Sequence, residues 1–261
     1  MFCGWQTQPG GCAVQDDLER ALASVHGAPV ATVVAGRTDA GVHALTQVVH
    51  FDAVNSRPET AWLRGVNALL PEGVAVLWAR PVADAFHARY SATERAYRYL
   101  LLNHPVRPAL LAGRAGWVHA ALDEARMAQA ARHLLGSHDF SAFRAAECQA
   151  KSPLRELREA RVVRRGDFVL FEFRANAFLH HQVRNMVGAL VWVGLGRRPP
   201  EWVGEVLAGR DRRQAAATFA PDGLYLAEVR YPPEFGLPGG GDRIGWDLAG
   251  PSGIMPLTPD P

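Results

Sequence analysis

Residues 159–175 read EARVVRRGDFVLFEFRA. Two runs rich in β-favouring residues, 159–165 and 168–175, flank a tight Arg165-Gly166-Asp167 connection, which predicts an antiparallel hairpin. Within the second run Phe168, Leu170 and Glu172 alternate with Val169, Phe171 and Phe173. Working outward, further strands are expected at 31–34, 47–51, 74–78, 97–102 and 224–231. Val14, Leu18, Ala21, Leu22 and Val25 recur at helical spacing, so 13–25 is an amphipathic helix. Ser56-Arg57-Pro58-Glu59 has the pattern of a capping box with an early proline, opening a helix that runs to about residue 70. Helices are also expected at 122–135, closed by Gly136, at 180–193, and in shorter form at 200–208 and 211–219. Strands and helices mixed in this way give an α+β class with antiparallel sheets. Pro105, Pro108 and Gly113 interrupt the pattern at 103–114 and divide the chain into residues 1–104 and 105–233. From Glu234 onward Gly and Pro crowd together without periodicity, so 234–261 reads as a loose tail.

Composition narrows the function. The 261 residues are 48% hydrophobic and 21% charged, enough apolar content for a sizeable core. No apolar run reaches the roughly 18 residues of a membrane span; the longest, 187–195, contains Gly188 and Gly194. Met1-Phe2-Cys3-Gly4-Trp5 lacks the basic-then-apolar order of a secretory signal. Cys3, Cys12 and Cys148 form no CxxC and no disulfide framework, so the expected location is a reducing cytoplasm. Of the 28 basic residues, Lys151 is the only lysine, and it follows Ala150 rather than glycine, which excludes a phosphate-binding GxxxxGK[ST] loop. HExxH and a helix-opening GxGxxG are missing as well, so zincin and dinucleotide chemistry are not indicated. Residues 1–60 carry a net charge of −3 and residues 61–120 a net +4, with Tyr90, Tyr97, Tyr99 and His87 interleaved in the basic part. That pattern is a hint of RNA contact.

The chemistry concentrates in residues 35–44, AGRTDAGVHA. This segment joins two apolar strands. Gly36 and Gly41 permit tight backbone geometry on either side of Asp39. Arg37, Thr38, Asp39 and His43 bring a cation, a hydroxyl, a carboxylate and an imidazole within seven residues. An ordinary turn would use the same Asp-Ala-Gly chemistry; the anchoring strands favour a rigid functional loop.

The decapeptide resembles the signature of the tRNA pseudouridine synthase A (TruA) family. Other segments resemble that family in the same order: Gly4-Trp5-Gln6, Val14-Gln15, QVVHF at 47–51, FHAR at 86–89, AYRY at 96–99, Leu134-Leu135-Gly136, Asp139-Phe140, Phe143-Arg144, NAFLHHQVRNMVG at 176–188 and GLYL at 223–226. The resemblance extends from about residue 3 to 232. It implies two ferredoxin-like, RRM-like halves sharing one continuous antiparallel sheet flanked by helices. It also implies a homodimer whose partner is tRNA. The implied reaction converts uridine to pseudouridine at positions 38, 39 and 40 of the anticodon stem-loop, with no cofactor and no metal.

By the same resemblance Asp39 is the catalytic group. A free aspartate is a carboxylate at neutral pH. It would act either as a nucleophile at the sugar C1′ or as a base at C2′ in an elimination. Tyr97 corresponds to the active-site tyrosine, packing on the uracil and assisting loss of the C5 proton. Arg184 corresponds to the arginine that pairs with the carboxylate, and its apolar neighbours Val183, Met186 and Val187 place it near the core. Arg37 is expected to help flip the target base. Leu226 is expected on the apolar side of the pocket. The chain departs from the family at its start: Met1 stands three residues before Gly4, where family members carry a complete strand, so the first half-sheet is expected to lack that strand. Two rival readings exist. His180-His181 with His138-Asp139 has the look of an HD-type metal phosphohydrolase, and the two halves alone fit a non-catalytic RNA-binding module, which would need no special aspartate.

Overall fold

The computed structural model describes residues 2–55 and 57–238. In chain order the elements are α1 (Val14–His26), β1 (Val33–Val34), β2 (His43–Ala44), β3 (Val49–His50), β4 (Glu94–Asn103), β5 (Gly116–Val118), α2 (Glu124–Ala131), β6 (Gly136–Asp139), β7 (Leu154–Arg165), β8 (Phe168–Ala175), α3 (Gln182–Gly194), α4 (Trp202–Gly209) and β9 (Leu224–Arg230). The expected hairpin is β7–β8, with Gly166 at φ +58° in its turn. It belongs to a seven-stranded sheet ordered β2-β9-β4-β8-β7-β6, with β5 beside the far end of β4. β1 and β3 form a separate antiparallel pair. The architecture is α+β. The sheet is not wholly antiparallel: β2–β9 and β4–β5 are parallel. Neither pair is joined by a hairpin, which is the connection that would force antiparallel order.

The alternation in 168–175 sorts residues between the two faces. Val169, Phe171 and Phe173 are fully buried, in one cluster with Tyr99, Leu101, Met127, Leu190 and Val203 from β4, α2, α3 and α4. The opposite face is covered too. Glu172 is 3% exposed, a burial a carboxylate tolerates only with charged partners. Arg174 supplies one at 2.7 Å and also reaches Glu228 at 2.6 Å and Glu159 at 2.8 Å. α3 is apolar nearly all round, as a helix enclosed by protein must be.

α1 carries the expected stripe, with Leu18, Ala21 and Leu22 buried against Trp5, Val30, Trp62 and Val66. Asp16 accepts the Ala13 N–H at 3.0 Å, which caps the helix start, and Gly27 ends the helix at φ +87°. Arg95 is 9% exposed and ties three segments together through carbonyls: Ala35 at 3.0 Å, Asn176 at 3.1 Å and Arg89 at 2.6 Å. It thereby fixes the root of the Asp39 loop.

Several expectations are corrected. Residues 74–78 form no ladder; Asn67 instead bonds both backbone groups of Val76, at 2.7 and 2.8 Å, and replaces a strand neighbour. The helix expected at 211–219 is one short turn, Arg212–Gln214, because Asp211 caps it and Arg212 is drawn inward to Asn185 and the Ala216 carbonyl. The helix after Pro58 contains a π-helical turn, Ala61–Gly65, and the Ser56 end of its capping box lies outside the described residues. The tail begins packed, with Phe235 on Phe86 at 5.1 Å between ring centroids; the part from residue 239 lies outside the described residues. Cys3 and Cys12 are joined by a disulfide, Cα to Cα 5.5 Å. The turn at Gln8–Gly11 folds the chain back on itself, a proximity that the spacing of nine did not advertise. The cysteine pattern therefore says nothing about compartment.

Candidate active site

Asp39 sits in the loop between β1 and β2, and its backbone is held from several directions. The Ala35 N–H donates to Val48 O at 2.9 Å, and Gln47 donates its side-chain amide to Gly36 O at 2.7 Å. From the other side the Trp5 N–H donates to Thr38 O at 2.9 Å, and Gly4 forms a β-bridge with Asp39. Gly4 has φ +104°, and a Cβ there would lie 2.8 Å from Thr38 O, so only glycine admits this approach. The Cys3–Cys12 disulfide and the Val14 N–H to Gly4 O bond, 3.1 Å, secure the same segment against the start of α1.

Three side chains from the N-terminal end of α3 converge on the carboxylate. Arg184 donates from Nη1 to Oδ2 at 3.0 Å, His180 donates from Nε2 to Oδ1 at 3.1 Å, and His181 Nε2 lies 3.2 Å from Oδ2. The positive end of the helix macrodipole lies on the same side and favours the negative charge. Arg184 is 14% exposed and does not place both prongs of its guanidinium on the carboxylate; its Nε donates to Phe219 O at 2.8 Å. The carboxylate is thereby locked to the 215–219 segment as well as to α3. His181 aims its ring from a left-handed backbone, φ +60°, a conformation uncommon outside glycine and retained where the surroundings impose it.

The other expected site residues divide. Tyr97 stands on β4 edge-on to Phe178, centroids 5.1 Å apart, and burial pushes its hydroxyl pKa up to about 12; Arg95 pulls that value down and Asp39 pushes it further up. The phenol is therefore protonated at neutral pH. Leu226 pairs with Tyr97 across β4–β9 and is fully buried beside Ala35, Val48 and Phe86. Arg37 is exposed on the loop surface. His43, the imidazole of the signature, turns away: it donates to Gly113 O at 2.9 Å and stacks on Tyr225 at 4.7 Å. The imidazoles at Asp39 come from 141 and 142 residues further along. The HD-type reading takes His180 and His181 as metal ligands; the turn that leads into α3, with His181 in the left-handed conformation, sets both imidazoles beside Arg184 on the Asp39 carboxylate. His138 and Asp139, the other half of the HD-type reading, are engaged elsewhere, with Leu135 O at 2.7 Å and the Ser141 N–H at 2.9 Å. Among the described residues Asp39, His180 and His181 are the group whose ligand atoms lie close enough, within 4.8 Å of one another, to hold a metal.

Comparison with known proteins decides the family. The family model described as tRNA pseudouridine synthase matches residues 1–91 and 130–232. A tRNA pseudouridine synthase A of Thiobacillus denitrificans is 60% identical over 248 residues, 95% of each chain. The chain belongs to the tRNA pseudouridine synthase A family. Membership makes it an isomerase. Family members of the same name from Paraburkholderia xenovorans and Burkholderia multivorans are 60% and 61% identical, each over 91% of this chain and 88% of their own length. Among the described residues no helix is long and apolar enough to cross a membrane.

The histidines of this family member give its stability a pH dependence. Burial holds the His181 pKa below its ordinary 6.5; the Asp39 carboxylate pulls it up, and His180 and Arg184 push it down. Burial and the neighbouring His87 also lower His50, against Asp52. The unfolded chain takes up these protons near pH 6.5 and the folded chain only at lower pH. Stability must therefore fall as pH drops below about 6.5. Thermal melts from pH 7.5 to 5.5 are expected to show a falling Tm. His181→Asn, which keeps a residue tolerant of the left-handed backbone, is expected to flatten that fall, and an unchanged slope would show that His181 does not carry it.

Proposed function

We propose that the chain converts uridine to pseudouridine at positions 38, 39 and 40 of the anticodon stem-loop of tRNA, with Asp39 as the group that acts on the sugar. The observation that carries this reading is the Asp39 carboxylate held between His180, His181 and Arg184, with Tyr97 beside it. In the covalent route a carboxylate oxygen bonds to C1′ as the C1′–N1 pair leaves with the uracil. The base turns, C5 bonds to C1′ and expels the carboxylate, and the C5 proton is lost while N1 gains one. In the elimination route the same carboxylate removes the C2′ proton as the C1′–N1 pair leaves with the uracil and a glycal forms; C5 then bonds to C1′, C2′ regains the proton from the carboxylic acid, and the C5 proton is lost while N1 gains one. Both need the fixed carboxylate and neither needs an external electron carrier or metal.

The raised Tyr97 pKa supports a ring that packs on the uracil rather than one that removes the C5 proton. Burial beside Tyr97 supports Leu226 as the apolar wall, and exposure on the loop surface suits Arg37 to meeting the flipped base. The reading includes ferredoxin-like halves at 1–104 and 105–233, a homodimer, and a cytoplasmic location where tRNA is modified. Support for shared halves comes from β4, whose partners β8 and β9 both follow residue 105.

The test is a purified chain incubated with unmodified tRNA transcript in EDTA, with the tRNA folded in monovalent salt. Carbodiimide-dependent primer-extension stops are expected only one nucleotide 3′ of positions 38, 39 and 40. Stops elsewhere would overturn the site, and activity restored to the protein by divalent metal would favour the metal phosphohydrolase reading.

A further inference from the structure

Beside the active site lies an open groove of about 470 Å³ lined by Ser141, Arg144, Arg210, Asp211, Arg212 and Arg213. It is joined rigidly to the catalytic cluster. The Ala145 N–H donates to His180 O at 3.0 Å, and Asn185, next to Arg184, donates to Phe143 O at 2.8 Å and accepts from Arg212 at 3.0 Å. Arg212 is the structural member, turned inward to Asn185, Thr218 and the Ala216 carbonyl. Arg144 is partly occupied with the Cys148 carbonyl. Arg210 and Arg213 project outward, 67% and 89% exposed. Two carboxylates offset part of this charge, Asp211 held by Arg213 at 2.8 Å and Asp139 lying 3.6 Å from Arg210, and the four arginines of the groove leave an excess of positive charge.

A second observation concerns Arg210 alone. It follows α4 in the left-handed conformation, φ +55°, at the position where helices usually place glycine or asparagine. His181 and Arg210 are the two non-glycine residues with positive φ among the described residues. The first holds the Asp39 carboxylate. A β-carbon at such a position is a standing cost that is retained where the side chain has a use.

We infer that this groove is a phosphodiester site that holds the tRNA backbone next to the target nucleotide, with Arg210 and Arg213 as its phosphate-binding residues and Arg144 as its wall. The inference rests on the proposed tRNA substrate. Guanidinium forks match phosphate oxygens, and contacts of this kind set register without reading sequence.

The backbone conformation supplies a sharp test. Arg210→Gly removes the charge and relieves the left-handed strain, and the long Arg210–Asp139 pair that it loses, 3.6 Å with Arg210 67% exposed, contributes little. The variant is expected to melt at the same temperature as the parent chain or higher, yet to bind unmodified tRNA about 5- to 10-fold more weakly. The slope of log K against log salt should become shallower by about 0.7–0.9 for the contact removed. Arg213→Ala, at a side chain that is 89% exposed and shares its guanidinium with Asp211, should change the slope in the same direction. Unchanged affinity and slope in both variants would overturn the inference, and so would weakened binding that follows a lowered Tm. Parent protein that binds tRNA with these slopes but forms no pseudouridine would uphold the groove and defeat the proposed activity instead.

Discussion

Asp39→Asn is expected to bind tRNA and form no detectable pseudouridine, a loss of about 10³-fold or more, as when a group acting directly on the reacting atoms is removed. The amide keeps the shape of the carboxylate, so the loop anchored by Gly4, Trp5 and Gln47 should be undisturbed. Its oxygen will turn to Arg184 and its NH₂ group toward His180, because two donors cannot face each other at 3.0 Å. Arg184, 14% exposed, then lacks its counter-charge, at a cost of about 1–3 kcal/mol. For a chain of this size each kcal/mol lowers Tm by about 2–4 °C. A gel-shift titration, a melt and a product assay on the same preparation separate these effects. Appreciable product would remove Asp39 from the chemistry. Asp39→Glu should fail as well, since its extra methylene displaces the carboxylate by about 1 Å, and misplacement on that scale costs about 10²-fold.

The second large effect is expected at a glycine one helical turn beyond Arg184. A Cβ on Gly188 would lie 2.5 Å from the Ala217 carbonyl oxygen, a backbone atom that cannot swing aside. Gly188→Ala must therefore push α3 away from the 215–219 segment. That spacing places Phe219, whose carbonyl accepts Arg184 Nε and whose N–H donates to Arg184 O at 3.3 Å. Overpacking of this kind costs about 1–3 kcal/mol, and a shift of Arg184 by about 1 Å should cost about 10²-fold in turnover. Gly166→Ala is the matched comparison. It forces alanine into φ +58° in the β7–β8 turn with no atom within 4 Å, so it should cost about 1 kcal/mol and leave turnover alone. If Gly188→Ala loses stability but keeps full turnover, the approach of α3 to this segment does not set the geometry of Arg184.

What could be read from the sequence depended on how local the governing interaction was. The β7–β8 hairpin, α1 and α3 were readable because alternation, helical spacing and a glycine turn lie within a dozen residues. The Asp39 loop and Arg184 were readable from motif resemblance. Residues 74–78 failed because an apolar run does not reveal whether a neighbouring strand exists, and there Asn67 takes the strand's place. His43 failed for a similar reason: its fate depends on Gly113 and Tyr225, which no local pattern connects to it. The Cys3–Cys12 disulfide depended on a fold-back at Gly11, where glycine at φ +62° reverses the chain. The parallel β2–β9 contact joins His43 to Tyr225 and had no sequence signal at all.

The distance along the chain between Asp39 and its partners also bears on how the protein is made. Arg184 follows the aspartate by 145 residues. At synthesis rates of about 5–20 residues per second that interval lasts on the order of ten seconds. During it the ribosome displays an N-terminal segment in which the Asp39 side chain has none of the three groups that later hold it. The hairpin from 154 to 175 can close from local contacts as it emerges, but the Asp39 carboxylate waits for the start of α3. The arrangement proposed to act on RNA is therefore completed late, once both Arg184 and the Phe219 carbonyl that fixes its guanidinium have been made.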